Sequence, residues 1–135
     1  MKVIVDTSIW SIALRRKKQQ DSSTVEKFSD LIADGRVVLL GAVRQEILSG
    51  IKYQEQFDKL KNRLQAFPDL ILDIEDYELA ADYFNICRRH GVQGANTDFL
   101  ICATANRRNC EIFTTDKDFI SFSQYLPIVL MQLQG

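Results

Sequence analysis

The sequence predicts an α/β domain: a three-layer arrangement with a central, mainly parallel sheet of four to five strands flanked by helices. Three observations predict it. Short, unbroken aliphatic runs recur along the chain, as strands buried on both faces require. Longer segments with apolar residues at helical spacing lie between them. The two kinds alternate, which implies right-handed crossovers. The 135 residues suit one domain, and 1–135 read as a single unit without repeat, low-complexity tract or linker.

Val3-Ile4-Val5 is the first strand. Asp6-Thr7-Ser8 then supplies helix-capping chemistry, and Ile9 to Leu14 reads as a helix. The polar run Arg15 to Gln20 ends it or forms a loop. Val25, Phe28, Leu31 and Ile32 mark a second helix, stopped near Gly35. Val37-Val38-Leu39-Leu40 is a second buried strand. Val43, Ile47 and Leu48 give a short helix ending near Ser49-Gly50, and Phe57, Leu60 and Leu64 a further one ending before Pro68.

Leu70-Ile71-Leu72 is a weaker third strand. Glu75 to Arg89 is a helix, broken by Gly91 to Gly94. Asn96-Thr97 can cap the next one, Asp98 to about Arg107, whose apolar residues cover most of its circumference. Glu111-Ile112-Phe113-Thr114 is a fourth strand and Pro127 to Leu130 a fifth. In such sheets, function gathers beyond the carboxyl ends of the strands.

Composition excludes several classes. With 46% hydrophobic and 26% charged residues and two prolines, the chain has a core to bury and is not disordered. A formal net charge of -1 lacks the large positive excess of a general nucleic-acid coat protein. It does not exclude a nuclease, because acids gathered in one site offset basic residues elsewhere. Cys87, Cys102 and Cys110 are an odd set without a CxxC pair, so structural zinc and a disulfide framework are not expected. A reducing cytoplasm is the expected compartment. The N-terminal apolar stretch is too short for a signal peptide and is interrupted at Asp6. No run approaches the ~20 apolar residues that span a bilayer.

Four acids stand out by position. Asp6 follows the first strand directly; taken alone it is a helix N-cap, worth about 1 kcal/mol. A lone Glu46 reads as part of a solvated helix face. Asp98 opens the apolar helix, where a negative charge favours the positive helix end. Asp116 follows the fourth strand, and the neighbouring Asp118 is the better candidate for the local turn, leaving Asp116 freer.

Together these local readings weaken. Asp6 and Asp116 end strands and Asp98 starts a core helix, so the topology tends to converge them. Two carboxylates about 5 Å apart repel by roughly 3 kcal/mol at an effective dielectric of 20. Three or four together require protonation or a cation, and Mg²⁺ or Mn²⁺ is the natural choice for a set of hard oxygen donors.

The segments Val3 to Ser8, Val43 to Gly50, Asp98 to Ala105 and Phe113 to Phe119 resemble, in order and spacing, the PIN-domain family. The likeness is to the small VapC-type toxins of toxin–antitoxin pairs, and it extends over the full chain. Cys102 stands where the family often has Ala, and Asn109-Cys110 replaces a usual Gly, which Asn can serve by taking a left-handed turn. The resemblance implies a PIN-like fold and a cytoplasmic RNA endonuclease that needs Mg²⁺ or Mn²⁺. It also implies a homodimer and a cognate antitoxin that blocks the site. By that similarity Asp6, Asp98 and Asp116 ligate the metal directly or through water, and Glu46 completes the cluster or holds a second ion. Thr7, Ser8 and Thr114 orient ligands, with Asp118 in a supporting place.

Arg15, Arg16, Lys17, Lys18 and Arg44 are the candidates for RNA phosphate contact. Arg107-Arg108 read better as a solvated face. Trp10 and Tyr53 suit base stacking or, equally, packing. His90 is the only histidine, which excludes a His-pair ribonuclease; near a helix end it reads as a surface cation. A phosphoacceptor domain needs paired acids after the first strand, and a haloacid-dehalogenase-type site needs a second Asp where Ser8 stands. Both fit poorly. A housekeeping RNA-processing nuclease and a non-catalytic PIN module remain open alternatives.

Overall fold

The structure, a computed structural model, describes residues 1–15 and 22–132. Its elements run β1 (Val3–Val5), α1 (Thr7–Arg15), α2 (Ser22–Ala33), β2 (Val37–Val38), α3 (Gly41–Leu48) and α4 (Gln54–Leu64). Then come α5 (Ile74–Arg89), α6 (Asn96–Arg107), β3 (Glu111–Phe113) and α7 (Asp118–Ser123). Arg16, Lys17 and Lys18 lie outside the described residues, as does the side chain of Arg15.

The three strands form a parallel sheet ordered β2-β1-β3. Val3 aligns with Val37 on one side and with Glu111 on the other. β1 is central and fully buried, which is why its sequence is unbroken and β-branched. The chain leaves β1 toward β2 and later crosses to the opposite edge to form β3. The crevice beyond the carboxyl ends of β1 and β3 is therefore the topological switch point.

The expected third and fifth strands do not form ladders. Each touches the sheet at a single parallel bridge, Leu39 with Asp69 and Ile112 with Leu130. Pro68 and Pro127 start these segments, and proline has no N–H to give a ladder. Downstream of the first, Asp73 already caps α5, so the segment turns away and leaves Ile71 90% exposed. The sheet among the described residues thus has three strands rather than four to five.

One contiguous core joins both faces of the sheet to the helices, with Phe99, Phe113, Phe119 and Phe122 its largest fully buried side chains. Trp10 belongs to it, packed edge-on against Phe28 and Phe67 at 4.8 and 5.0 Å. Cys87, Cys102 and Cys110 are buried free thiols. Asn109 takes φ 54° between α6 and β3, the left-handed turn its type allows. No helix among the described residues is long and apolar enough to cross a membrane.

Two charge networks brace the framework, and both differ from expectation. Arg107 and Arg108 are not a solvated face. Both donate to the fully buried Asp76 at 2.7 Å, and Arg107 also reaches Asp73 and Glu75. Arg44 is engaged within the fold. Its guanidinium donates to Asp69 at 2.8 Å and to the carbonyls of Leu64 and Phe67, tying α3 to the chain after α4. A planar fork with this many fixed acceptors is a structural clamp.

Candidate functional site

β1 delivers Asp6 to the sheet's carboxyl edge, and α1 begins at the next residue. Asp6 is only 5% exposed. Its main-chain carbonyl receives the Ile9 amide at 3.1 Å, so it does start α1. Its carboxylate contributes little to that cap, because the Ser8 amide lies 3.4 Å from Oδ2. The shorter bond to Oδ2 comes from Thr114 Oγ1 at 2.8 Å, across the crevice from β3.

The hydroxyls of this edge form a directed relay. Ser8 Oγ accepts from the Thr115 amide at 3.1 Å, so its proton is available to Thr114 Oγ1, 3.3 Å away. Thr114 Oγ1 accepts from the Asp116 amide at 2.9 Å and gives its own proton to Asp6. Each hydroxyl has one proton to donate, which fixes the direction. Ser8 and Thr114 thereby lock the end of β1 to the end of β3.

Glu46 lies exposed on α3, where Thr7 Oγ1 donates to its Oε1 at 2.6 Å. A charge-assisted bond of that length holds one oxygen and leaves Oε2 to face elsewhere. Asp98 occupies the third position of α6, and its Oδ2 accepts from the Ala95 amide at 2.9 Å, half of a capping box. Ala95 itself stands at the N-cap, so Asn96 and Thr97 lie inside α6 rather than capping it. Asp116 also differs from expectation: its Oδ1 accepts from the Asp118 amide at 2.9 Å, so Asp116, not Asp118, makes the Asx turn that opens α7.

Asp98 feels the charge of the other three acids. Burial pushes the Asp98 carboxyl up to about 6, and repulsion from Asp6, Asp116 and Glu46 adds to the rise, against the Ala95 hydrogen bond. Like charges raise a carboxyl in this way only when they are near. Even so, among the described residues no three His, Cys, Asp or Glu side chains close around one point tightly enough to hold an ion as they stand. Each of the four spends one oxygen on a donor within the protein. The donor set nonetheless fits a hard cation. It offers carboxylates, backed by hydroxyls, and unrelieved negative charge at Asp98.

The remaining candidates are not catalytic in form. Trp10 is core. Tyr53 is 59% exposed, with Lys52 Nζ 5.6 Å from its ring centroid. His90 caps α5 and stacks on Tyr125 at 4.1 Å. Sequence reasoning missed the main-chain amides of Ala95, Thr115 and Asp118, which hold Asp98, Ser8 and Asp116. Only the Ser and Thr residues beside the acids hinted at such a framework.

A family model described as the PIN domain matches residues 3–124. No curated protein sequence matches. Among solved structures, FitAcB from Neisseria gonorrhoeae superposes with a TM-score of 0.72 at 19% identity, covering 97% of this chain and 97% of that chain. VapBC2 from Rickettsia felis, bound to a DNA fragment from its promoter, gives 0.77 at 18%, covering 97% and 98%. VapBC-1 from nontypeable Haemophilus influenzae gives 0.76 at 16%, covering 100% of both chains. At these identities the likeness speaks to the fold.

Proposed function

The chain belongs to the PIN-domain family, and from that premise we propose that it is a metal-dependent endoribonuclease, the toxin of a type II toxin–antitoxin pair. The observation that carries the reading is that three acids from distant segments, Asp6, Glu46 and Asp116, lie near enough to the half-buried Asp98 carboxyl to add to the rise that burial gives it. Asp6 and Asp116 follow β1 and β3 at the switch point where α/β folds place ligands, and Asp98 and Glu46 come from α6 and α3.

Asp6, Asp98 and Asp116 hold Mg²⁺ or Mn²⁺ in this reading, and Glu46 completes the set. The ion, when bound, lowers the pKa of a water and neutralises phosphate charge. The chain's own residues prepare the place. Thr114 and Ser8 fix Asp6. Thr7 fixes one oxygen of Glu46, and the Ala95 amide fixes one oxygen of Asp98. In this reading the second oxygen of each takes the ion. The reaction class is hydrolysis of an RNA phosphodiester. Arg44 takes no part in holding RNA, whereas Lys117 stands exposed between Asp116 and Asp118 on the rim.

The toxin role draws support from the family and from the toxin–antitoxin complexes that share the fold. A protein antitoxin is the expected partner. A homodimer fits an unpartnered face of α5. Ile74 and Tyr77 project there, 74% and 56% exposed, beside a groove of about 450 Å³ lined by Tyr77, Ala81, Phe84, Leu100 and Ala42. Projection and groove on one face are what a two-fold contact needs. An antiparallel pairing also sets the acidic half of α5 (Glu78, Asp82) against the basic end (Arg88, Arg89) of its mate.

Cleavage of RNA by the purified protein with Mg²⁺ or Mn²⁺, with and without chelator, tests the proposal. Loss of cleavage in Asp6→Asn and Asp98→Asn with the fold retained supports it; full activity in either variant refutes the assignment. The spread of the carboxylates also suits a non-catalytic PIN module. That reading wins if cleavage is absent with either metal.

A further inference from the structure

Gly94 lies one residue before Ala95, whose amide holds Asp98. Its φ is not positive, unlike those of Gly35, Gly50 and Gly91, so backbone freedom is not what the residue supplies. What it supplies is space. A Cβ built there would stand 2.5 Å from Phe122 Cζ and 3.1 Å from Phe99 Cε2. Phe122 belongs to α7, and its ring packs on Phe99 at 4.8 Å and on Phe119 at 5.2 Å. Phe99 follows Asp98 directly, and Asp116 holds the first amide of α7.

A methyl group at position 94 therefore forces one of two movements. If the Phe122 ring yields, it presses on Phe119 of the same helix, which Asp116 opens, and on Phe99, the neighbour of Asp98. If the main chain yields, the Ala95 amide moves and Asp98 loses its anchor. Both movements reach a residue beside Asp98 or Asp116 while neither acid is touched.

We propose that Gly94 is a positioning residue which, through its contact with Phe122, sets the spacing of Asp98 and Asp116 and thereby the affinity of the site for a divalent cation. The proposal rests on the reading of these acids as metal ligands. Its counterpart in the fold is the aromatic cluster of Phe84, Phe99, Phe119 and Phe122, whose last three rings are buried and in contact, so that a displaced Phe122 ring presses on its neighbours.

Calorimetric titration of Mn²⁺ into the wild type, Gly94→Ala, Gly94→Ala/Phe122→Leu and Asp98→Asn tests it, with thermal melting of each. Gly94→Ala is expected to bind Mn²⁺ about tenfold more weakly, the scale seen when a residue supporting a ligand is changed. The double variant, in which Leu vacates the ring's place, is expected to recover most of that affinity; a purely structural defect at Gly94 does not predict such rescue. Gly94→Ala binding as tightly as a wild type that does bind overturns this inference alone. A wild type that takes up no Mn²⁺ overturns the metal-ligand reading, and this inference with it. Where Gly94→Ala alone does not fold, the double variant decides: folding with Mn²⁺ uptake supports the inference, and folding without it overturns it.

Discussion

Thr114 Oγ1 donates to Asp6 Oδ2 at 2.8 Å, joining residues 108 positions apart across the crevice between β1 and β3. The same oxygen accepts from the Asp116 amide, so one hydroxyl serves two of the four acids. Thr114→Val keeps the shape and removes both bonds. It leaves buried Asp6 and the Asp116 amide short of partners, at a cost of about 2 kcal/mol. RNA cleavage is expected to fall at least about tenfold, while Thr114→Ser retains both properties. Equal melting temperatures and equal rates for Val and wild type would show the bond to be idle.

Asp98 gives a prediction with opposite signs in two conditions. Its carboxyl is pushed up to about 6 by burial first, then by its acidic neighbours, so its charged form weakens the fold at neutral pH. Asp98→Asn keeps an acceptor for the Ala95 amide and drops the charge. Without metal, the variant is therefore expected to be the more stable protein, by roughly 1 kcal/mol once solvent screening of this half-buried group is allowed for. Added Mg²⁺ or Mn²⁺ raises the wild-type melting temperature much more than that of the variant. Equal shifts in both would place the ion elsewhere.

Position in the fold was legible in the sequence, and partnership was not. Asp6 and Asp116 announced themselves by following β-branched or aliphatic runs, and Asp98 by opening an apolar helix. Those cues report where the chain goes. Arg44 looked available for phosphate because its partner Asp69 lies 25 residues away, and no local pattern links them. Asp76 sits among polar residues of α5, yet it is the fully buried centre of an ion-pair network. Leu70-Ile71-Leu72 and Pro127 to Leu130 have strand composition, but pairing depends on neighbours and on the missing proline N–H. Asp116 and Asp118 differ only in which backbone amide each can reach, which is a matter of torsion angles.

Arg44 is expected to behave as a clamp. Arg44→Ala should cost roughly 2–3 kcal/mol, since it strands Asp69 and two carbonyls. Lys should rescue only in part, because an ammonium lacks the planar fork. The salt dependence of RNA binding should not change. A flatter salt slope in Arg44→Ala, by about one unit, would restore the phosphate-contact reading.

The face of α5 predicts oligomeric state. Tyr77→Glu places charge in the middle of the apolar projection and is expected to give a monomer with little change in melting temperature, as Tyr77 is 56% exposed within the subunit. Light scattering after size exclusion reads the mass directly. A wild type that runs as a monomer at tens of micromolar (a concentration chosen because interfaces of ordinary size hold well below it) would leave this face to another partner.

The last prediction concerns acid stability. Asp76 is fully buried, and Arg108 first, with the Asp73 amide and Arg107, holds its carboxyl well below the usual carboxylate range against the opposing pull of burial. A carboxyl depressed on folding stabilises the folded state above its unfolded pKa of about 4, and that contribution is lost as pH falls through the folded value. At pH 7, Asp76→Asn is thus expected to be destabilised by about 3 kcal/mol, since it removes the buried charge of the network and leaves Arg108 without its acidic partner. Below pH 4 the wild type loses the same stabilisation by protonation, so the gap between the two proteins should narrow steadily. Melting temperatures of both proteins between pH 7 and pH 2 measure it. A gap that stays constant over that range would mean that packing of the side chain, rather than its charge, is what α5 and α6 depend on.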